Sequence, residues 1–392
     1  MMHELIELSV MPTALDFFDT YWNQRPFVVK AGIAEDSIDE LITPNELASL
    51  AMEEDAISRL VKSPDGDQGW TCRYGPFDEK DLSEMGNQGW NLLVGNVEQF
   101  HPDTAKLLNF FNFAPRWMMD DVMVSYSSMG GTVGPHMDSY HVFLVQGEGK
   151  RRWKVSHHTI GCEDYIENID LKVMKTDFAG DEVEMNVGDV LYIPPNFAHH
   201  GITLEPALTY SVGFLGPKSS ELFSAFGDYL ACNEDLDERY VGGQLTQQDQ
   251  GFHMGSSAVN SVGDFLSKTQ GSTTFTRWLV EFFTDPTHQE FAQFIVRDDA
   301  FDLTTLKIKL QTGYALVKPE YVKLAVVDGG NGKIYIGFEH HSFVIDVGSM
   351  TVLHAIMNGQ TVSAAEFPEL FKNQKLLGTI VELYNHSALE FF

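Results

Sequence analysis

Two short segments, 63 positions apart, constrain the fold of this chain more than any other feature. Residues 134–138 read Gly-Pro-His-Met-Asp, and residues 194–199 read Pro-Pro-Asn-Phe-Ala-His. Together they offer two imidazoles and one carboxylate, the facial ligand set that holds Fe(II) and leaves coordination positions open. His136 and Asp138 stand at i and i+2, so a strand would point both side chains to one face. The pattern predicts two strands that meet at a catalytic metal site.

The strand that leads to the second histidine is short and apolar. Residues 188–195 read Gly-Asp-Val-Leu-Tyr-Ile-Pro-Pro, which is a turn, an apolar run and a proline stop. Two histidines follow, and we favour His199 as the ligand, with its neighbour His200 facing outward. A closed or nearly closed β-barrel would bring this strand beside the one that carries His136 and Asp138.

The composition narrows the classes of function. The net charge of the chain is −30, from 56 acidic and 26 basic residues. This charge argues against sequence-independent binding of nucleic acid, but it is compatible with a basic protein partner. The sequence has no run of 18 apolar residues and no basic, apolar leader, and its three cysteines lie far apart. We therefore expect a cytoplasmic protein without a membrane span.

Charge and pattern divide the chain into three predicted domains. Residues 1–220 hold both metal-ligand segments and most of the strand patterns, so they form the predicted catalytic domain. Residues 221–305 form the second. Here, and in the adjoining stretch from 220, apolar and aromatic residues recur at helical spacing, over 220–230, 274–283 and 288–296. Such stripes favour a helical dimerisation domain.

Residues 306–392 differ from the rest, with 8 acidic and 7 basic residues. Two alternating runs, 323–327 and 333–338, flank a glycine-rich turn and predict a hairpin. A helix is predicted over 364–384. Helices with a hairpin suggest a winged-helix-like domain, but the net charge of −1 without a basic cluster argues against DNA binding.

A basic pair downstream of the first segment suggests the co-substrate. We interpret Gly-Glu-Gly at 147–149 as a turn, after which the chain returns as Lys-Arg-Arg-Trp-Lys. The distal carboxylate of 2-oxoglutarate matches the planar fork of an arginine. Because neighbours on a strand face opposite sides, only one of Arg151 and Arg152 can point inward, and Trp153 would share the face of Arg151. The alternative is that both arginines are surface charges.

The segment at 120–127, Asp-Asp-Val-Met-Val-Ser-Tyr-Ser, has the period of a strand. One face of that strand would hold Asp121, Met123, Ser125 and Ser127. If this face lines the barrel, Ser127 could reach the distal carboxylate, and Asp121 would be a buried acid in need of a cationic partner. The alternative is that Asp121 is a solvated residue at a strand edge.

Taken together, these strings resemble the JmjC-type ribosomal oxygenases. The resemblance rests on residues 120–125, 130–140, 145–153, 192–199 and 210–214, and it covers nearly the whole chain. It is strongest to the bacterial arginine 3-hydroxylases that act on the large-subunit ribosomal protein uL16. It implies an α+β chain with a double-stranded β-helix, the cupin or jelly-roll barrel of JmjC proteins. A helical dimerisation segment and a C-terminal winged-helix-like domain would follow.

The resemblance also implies roles for single residues. His136, Asp138 and His199 would bind Fe(II), with O2 at an open position, and Arg151 would be the main anchor for 2-oxoglutarate, with Ser127 as a weaker contact. The implied pocket for the substrate arginine consists of Asp121, Met123, Tyr140 and Ser211. Within it, Asp121 would pair with the guanidinium and Tyr140 would stack on it.

The implied partner is a basic protein of the large ribosomal subunit, and the implied assembly is a homodimer. Alternatives of the same fold are a histidyl or asparaginyl hydroxylase and a lysine demethylase. A histidine substrate would not require a paired acid, so Asp121 separates these readings. An alternative from another class is a non-catalytic cupin-like binding protein, against which the complete triad and Arg151 count.

Overall fold

The structure is a computed structural model that describes residues 4–65, 69–161, 164–233, 236–285 and 301–392. It divides into two compact units, Met1–Gly216 and Pro217–Phe392. The three-domain division, with boundaries at 220 and 305, stays a prediction. None of the described helices is long and apolar enough to cross a bilayer.

The first unit is built on a ten-stranded mixed sheet. Its strands are β1 (Ile6–Leu8), β2 (Phe27–Val29), β3 (Ser58–Lys62), β4 (Thr71–Tyr74), β5 (Trp90–Val94), β6 (Met119–Ser127), β7 (His141–Thr159), β8 (Gly180–Met185), β9 (Val190–Ile193) and β10 (Phe197–Phe214). They run in the order β1-β2-β9-β7-β10-β6-β5-β3-β4, and β8 pairs with β7 beside this path. The long strands β7 and β10 lie at the centre and pair antiparallel from end to end.

Six short α-helices accompany this sheet in the described part of the first unit. They are α1 (Ala14–Asp16), α2 (Glu35–Ile38), α3 (Pro44–Leu50), α4 (Glu79–Ser83), α5 (Val97–Phe100) and α6 (Pro102–Ala105). The start of α3 follows from its sequence, because the hydroxyl of Thr43 and the carboxylate of Glu46 cap each other's backbone N–H groups and Pro44 occupies the first turn. Helix α5 packs behind β6, which bears on the site described below.

The turn predicted at 147–149 is wrong, because β7 continues through these residues as one strand of 19 residues. The two glycines serve packing and a bulge instead of a reversal. A Cβ at Gly147 would lie 2.3 Å from the ring of Tyr210, and Gly149 has a φ of +61°, which favours glycine. The pairing register with β10 shifts opposite this stretch, so the strand bends without turning back.

Alternate side chains of β7 point to opposite faces and pack into two separate apolar clusters. Phe143 and Val145 belong to the main core of the unit, where Phe143 contacts the rings of Phe17 and Phe111. Val142 and Leu144 point to the opposite face and join a second cluster with Trp153. Both faces of β7 are therefore buried over residues 141–147, which explains why residues 142–145 are continuously apolar.

Among its described residues, the second unit combines six α-helices with small sheets. Its elements are α7 (Ser219–Ala231), α8 (Ser256–Gln270), α9 (Thr273–Phe283), α10 (Leu303–Gln311), β11 (Leu316–Val317), β12 (Ala325–Gly330), β13 (Lys333–Phe338), β14 (His341–Asp346), α11 (Met350–Met357), α12 (Gln374–Asn385) and β15 (Glu390–Phe391). The predicted hairpin is confirmed by the β12–β13 pairing, to which β14 adds a third strand. The predicted helices at 220–230 and 274–283 are confirmed as α7 and α9.

Two helix predictions in this unit have a different outcome. The helix predicted over 364–384 is too long, since Pro368–Lys372 forms a separate 3-10 turn. Helix α12 begins only at Gln374, where the side chain of Asn373 accepts the N–H of Leu376 and caps it. The helix predicted over 288–296 lies outside the described residues, and the winged-helix character of the C-terminal part stays a prediction.

Candidate active site

The ligand atoms of His136, Asp138 and His199 lie within 4.8 Å of one another. A carboxylate oxygen of Asp138 is 3.5 Å from Nε2 of His199 and 3.9 Å from Nε2 of His136. The Nδ1 atoms face backbone carbonyls, that of Gly134 at 2.9 Å and that of Phe197 at 3.1 Å. Each Nδ1 must therefore carry the proton, which leaves both Nε2 lone pairs free to bind a metal. Two nitrogens and one oxygen on one side of a point are the donor set that suits Fe(II).

The sequence predicted that the three residues lie on two regular strands. His199 does lie on β10, but His136 and Asp138 do not lie on a regular strand. His136 and Asp138 precede β7 in a segment whose only strand-like feature is an isolated bridge between His136 and His199. Pro135 lacks an N–H, and Gly134 has a φ of +82°, so this stretch cannot continue a ladder. The extended backbone around the bridge nevertheless points both side chains to the same place.

His199 and His200 are separated by the alternation of β10. His199 is 2% exposed and joins the cluster, whereas His200 points to the other face, where its Nε2 is buried without a hydrogen-bond partner among the described residues. Burial, and then the nearby His136, lower the pKa of His199 to about 4. The imidazole therefore stays neutral at physiological pH, in the form that binds metals.

The cluster lies in a cavity of about 470 Å³. Its walls include Met123 and Ser125 from β6, Arg151 and Trp153 from β7, and Ser211 from β10. The volume is that of a site for a small molecule together with an inserted side chain.

Arg151 is a buried cation inside this cavity, 4% exposed. Its guanidinium carbon lies 4.6 Å from the ring of Trp153, and its two hydrogen bonds, to Thr209 Oγ1 and the carbonyl of Gly201, are both long, at 3.4 Å. The Nε of Arg151 and the indole N–H of Trp153 are buried without partners in the described part of the chain. Burial lowers the pKa of Arg151 to about 10, so it remains charged. A buried charge without a counter-ion fits the carboxylate of a bound ligand.

The comparisons with known proteins agree with this geometry. The family model of the JmjC domain matches residues 106–222. The solved structure of Escherichia coli YcfD superposes with a TM-score of 0.82 at 30% identity over 100% of both chains. The chain belongs to the JmjC ribosomal oxygenase family. The predicted JmjC cupin fold is thereby confirmed, whereas the dimerisation and winged-helix assignments stay predictions.

A second structure of YcfD and one curated relative bear on the chemistry. YcfD from E. coli has been solved in complex with cobalt and 2-oxoglutarate, and that structure superposes with a TM-score of 0.77 at 30% identity over 96% of this chain and 97% of the other. The E. coli protein named ribosomal protein uL16 3-hydroxylase is 42% identical over 219 residues. That alignment covers 56% of this chain and 57% of the relative, so it spans little more than half of the curated protein.

Of the four residues predicted to bind the substrate arginine, three line the cavity and one does not. Met123, Tyr140 and Ser211 line the cavity of this JmjC domain. Asp121 is half-buried one step further along the same face of β6, and its carboxylate accepts the N–H of Asn96 at 3.4 Å. Burial, and then the neighbouring Asp120, raise the pKa of Asp121 to about 7. A cation beside Asp121 would reverse this shift.

Ser127 is fully buried but is not part of the cavity wall. Its hydroxyl donates to Oδ1 of Asn91 at 2.5 Å, and Asn91 lines the cavity. Two residues earlier on the same face, Ser125 does reach the wall. The period-two pattern identified the correct face, but it could not show that a side chain from β5 lies in front of Ser127. A direct contact of Ser127 with 2-oxoglutarate stays a prediction.

Sequence reasoning missed a buried acid on α5, which packs against β6. Glu98 on α5 is 2% exposed, and its carboxylate accepts the N–H of Val122 at 2.9 Å. Burial, and then the charge of Asp121, raise the pKa of Glu98 to about 8. Nothing in the local sequence marks Glu98, because its importance arises only when α5 packs against β6.

Sequence reasoning also missed the outer wall of the cavity. Arg59 from β3, Tyr74 from β4 and Asn91 and Leu93 from β5 line it, together with residues 169–172. These strands extend the sheet beyond β6, and only the pairing order places them beside the metal-ligand cluster. A single sequence pattern carries no signal for that order.

Proposed function

We propose that this protein is an Fe(II)- and 2-oxoglutarate-dependent dioxygenase that hydroxylates an arginine of a large-subunit ribosomal protein. The observation that carries the proposal is the presence, in one cavity, of a facial His-Asp-His cluster and a buried arginine that has no counter-ion among the described residues. The family membership supports the same reading. The alternative of a non-catalytic binding protein gives no reason for either feature.

His136, Asp138 and His199 would hold the iron, and Arg151 would anchor the distal carboxylate of 2-oxoglutarate. The chemistry that these groups supply when bound is the O2-dependent oxidation of a C–H bond, coupled to conversion of 2-oxoglutarate to succinate and CO2. The chain contributes orientation and exclusion of water. Trp153 would contribute to both, because its ring lies against the guanidinium of Arg151 and forms part of the cavity wall.

The target side chain would be positioned by the face of β6 that lines the cavity and by neighbouring residues. Asp121 would pair with the guanidinium, Tyr140 would stack on its plane, and Met123 would pack against its stem. Ser211, which pairs with Met123 across the β10–β6 ladder, would add a hydrogen bond. A half-buried acid with a raised pKa favours a cationic substrate, which supports arginine over histidine or asparagine.

The decisive experiment uses large ribosomal subunits without the modification, Fe(II), 2-oxoglutarate and the purified protein. We expect a mass gain of one oxygen atom on an arginine, found by peptide mass spectrometry and dependent on 2-oxoglutarate. Asp138→Ala is the matched inactive control. Succinate formation without a modified ribosomal protein would leave the oxygenase in place and exclude this substrate. If neither succinate nor a modified ribosomal protein is formed, the result would favour a non-catalytic binding protein.

We also propose that the protein is a homodimer that assembles through the helices of the second unit. Val259 and Leu266 lie seven positions apart on α8 and are 60% and 53% exposed, and Phe223 on α7 is 65% exposed. The exposed apolar residues of α8 lie on one face of that helix, which fits a second copy of the same helices. Light scattering should show a monomer for Val259→Glu with Leu266→Glu, and a dimer for Asn260→Glu, which changes the neighbouring face of α8.

A ribosomal substrate would place the activity in the cytoplasm.

A further inference from the structure

The outer rim of the cavity is held together by a hydrogen bond between two distant segments. The hydroxyl of Tyr74, on the edge strand β4, donates to Oδ2 of Asp170 at 2.5 Å. Asp170 belongs to the rim loop, defined here as residues 164–179 between β7 and β8. Both side chains line the cavity. The contact therefore joins β4 to the rim loop at the wall of the cavity.

Asp170 differs from the other carboxylates of the rim loop. Asp177 accepts two hydrogen bonds from Lys154 at 2.8 Å, and Asp164 and Glu167 share Lys175 at 3.2 and 3.3 Å. In the described ranges, no ion pair reaches Asp170, and its one hydrogen-bond donor is the neutral phenol of Tyr74. A carboxylate has about four acceptor positions, so most of its capacity remains open.

The protonation of Tyr74 agrees with this assignment. The hydrogen bond to Asp170 is the main cause that raises the pKa of Tyr74 to about 12, with burial second. The phenol is thus a neutral donor at physiological pH, and it holds the carboxylate without neutralising its charge. A lysine or arginine at the same place would form a stronger, charge-assisted hydrogen bond.

The pairing register gives the distance from this rim to the substrate face. Direct partners on five neighbouring strands form a row on the cavity side, which runs Thr209, Ser125, Leu93, Arg59, Tyr74. Neighbouring strands are about 4.8 Å apart, so Tyr74 lies roughly 14 Å from Ser125, beside the proposed arginine pocket. An extended peptide advances about 3.3 Å per residue and would cover that distance in roughly four residues.

We propose that Asp170 is a second cation site of this enzyme, which binds a basic side chain roughly four residues from the target arginine, and that Tyr74 occupies the site until the substrate arrives. The inference rests on the proposed function and specifies its substrate as a basic segment with two separated cations. Arg59 lies between the two sites, where its guanidinium contacts Sδ of Met123 at 3.8 Å. Its charge disfavours a basic residue at the positions in between.

The test uses the full-length protein with Fe(II) and 2-oxoglutarate and a set of peptides with one arginine. A single lysine is moved away from the arginine one position at a time, in both directions, and a glutamine series is the reference. We expect kcat/KM for hydroxylation to rise about threefold when the lysine reaches the matching position, as for an exposed ion pair. Asp170→Asn should abolish this preference and leave the KM for 2-oxoglutarate unchanged.

Glu167→Gln is the matched control, because it removes one charge from the same loop at a residue that does not line the cavity, and it should keep the preference. Tyr74→Phe should lower the KM for the best lysine peptide, since no phenol has to be displaced. A preference that survives in Asp170→Asn, or that Glu167→Gln removes equally, would overturn the proposal. If Tyr74→Phe lost the preference for the lysine peptide, the proposal that Tyr74 only occupies the site until the substrate arrives would be contradicted. If the parent protein hydroxylates no peptide and no ribosomal subunit, the proposed function fails, and this inference fails with it.

Discussion

The backbones of His136 and His199 are hydrogen-bonded to each other in both directions, at 3.0 and 2.9 Å between N and O. This bridge fixes the two histidine backbones side by side, and the centroids of their imidazole rings lie 4.2 Å apart. The bridge involves backbone atoms only, so it does not depend on the side chain of Asp138.

The first prediction follows from this bridge. Asp138→Ala should abolish 2-oxoglutarate turnover and iron binding but leave the fold intact, because it removes a half-buried side chain and none of the backbone bonds. Its Tm should stay within about 2 °C of the parent, measured by circular dichroism. Asp164→Ala, on an exposed part of the rim loop, is the control that keeps turnover. Parental activity of Asp138→Ala would remove the ligand assignment.

The second prediction compares two neighbouring arginines on β7. Arg151→Ala should raise the KM for 2-oxoglutarate about 10-fold to 100-fold, since a buried charge-assisted pair contributes about 1.5–3 kcal/mol. Arg152 faces the other side and pairs with Glu184 at 2.8 Å on the surface, so Arg152→Ala should leave this KM unchanged. Steady-state assays of succinate formation measure both. Equal effects of the two substitutions would mean that the anchor lies elsewhere.

Residue types and short spacings were enough to predict the inner part of the site. The two histidines and one aspartate predicted as ligands lie together in the structure, and strand alternation predicted that Arg151 and Trp153 share a face, as the structure shows. The same alternation separates His199 from His200. These inferences depend on neighbours in sequence, for which local geometry is sufficient.

The outer part of the site depends on pairing between distant segments. Asn91 in front of Ser127, Arg59 beside Met123 and Tyr74 bonded to Asp170 are all set by the strand order of the sheet and by one long loop. No local period encodes that order. The error at 147–149 has a related cause, because glycine is favoured both by a turn and by a bulge packed against Tyr210, and only the partner strand distinguishes them.

The third prediction concerns the pH dependence of substrate binding. The pKa of Asp121 is raised to about 7, and only the ionised carboxylate pairs with a guanidinium. The KM for the arginine substrate should therefore fall as the pH rises from 6 to 8, by up to about tenfold, while the KM for 2-oxoglutarate changes little. In Asp121→Asn the substrate KM should be high and should not depend on pH in this range. A parent protein with the same flat profile would show that Asp121 does not bind the substrate.

The fourth prediction concerns Glu98 and the stability of the fold. Its pKa is raised to about 8 by burial and by Asp121, so the folded state holds a proton that the unfolded chain releases near its ordinary value. The stability that this proton contributes is complete below about pH 4.5 and is lost as the pH rises through about 8.

Glu98→Gln replaces the protonated carboxyl with a neutral group that can still accept the N–H of Val122. Its Tm should equal that of the parent near pH 4.5 and exceed it increasingly up to pH 8, measured by calorimetry across this range. Glu79→Gln, at an exposed position on α4, should give a constant small difference. If the difference in Tm between Glu98→Gln and the parent does not grow with pH, Glu98 is ionised in the folded protein. A compensating charge must then lie beside it.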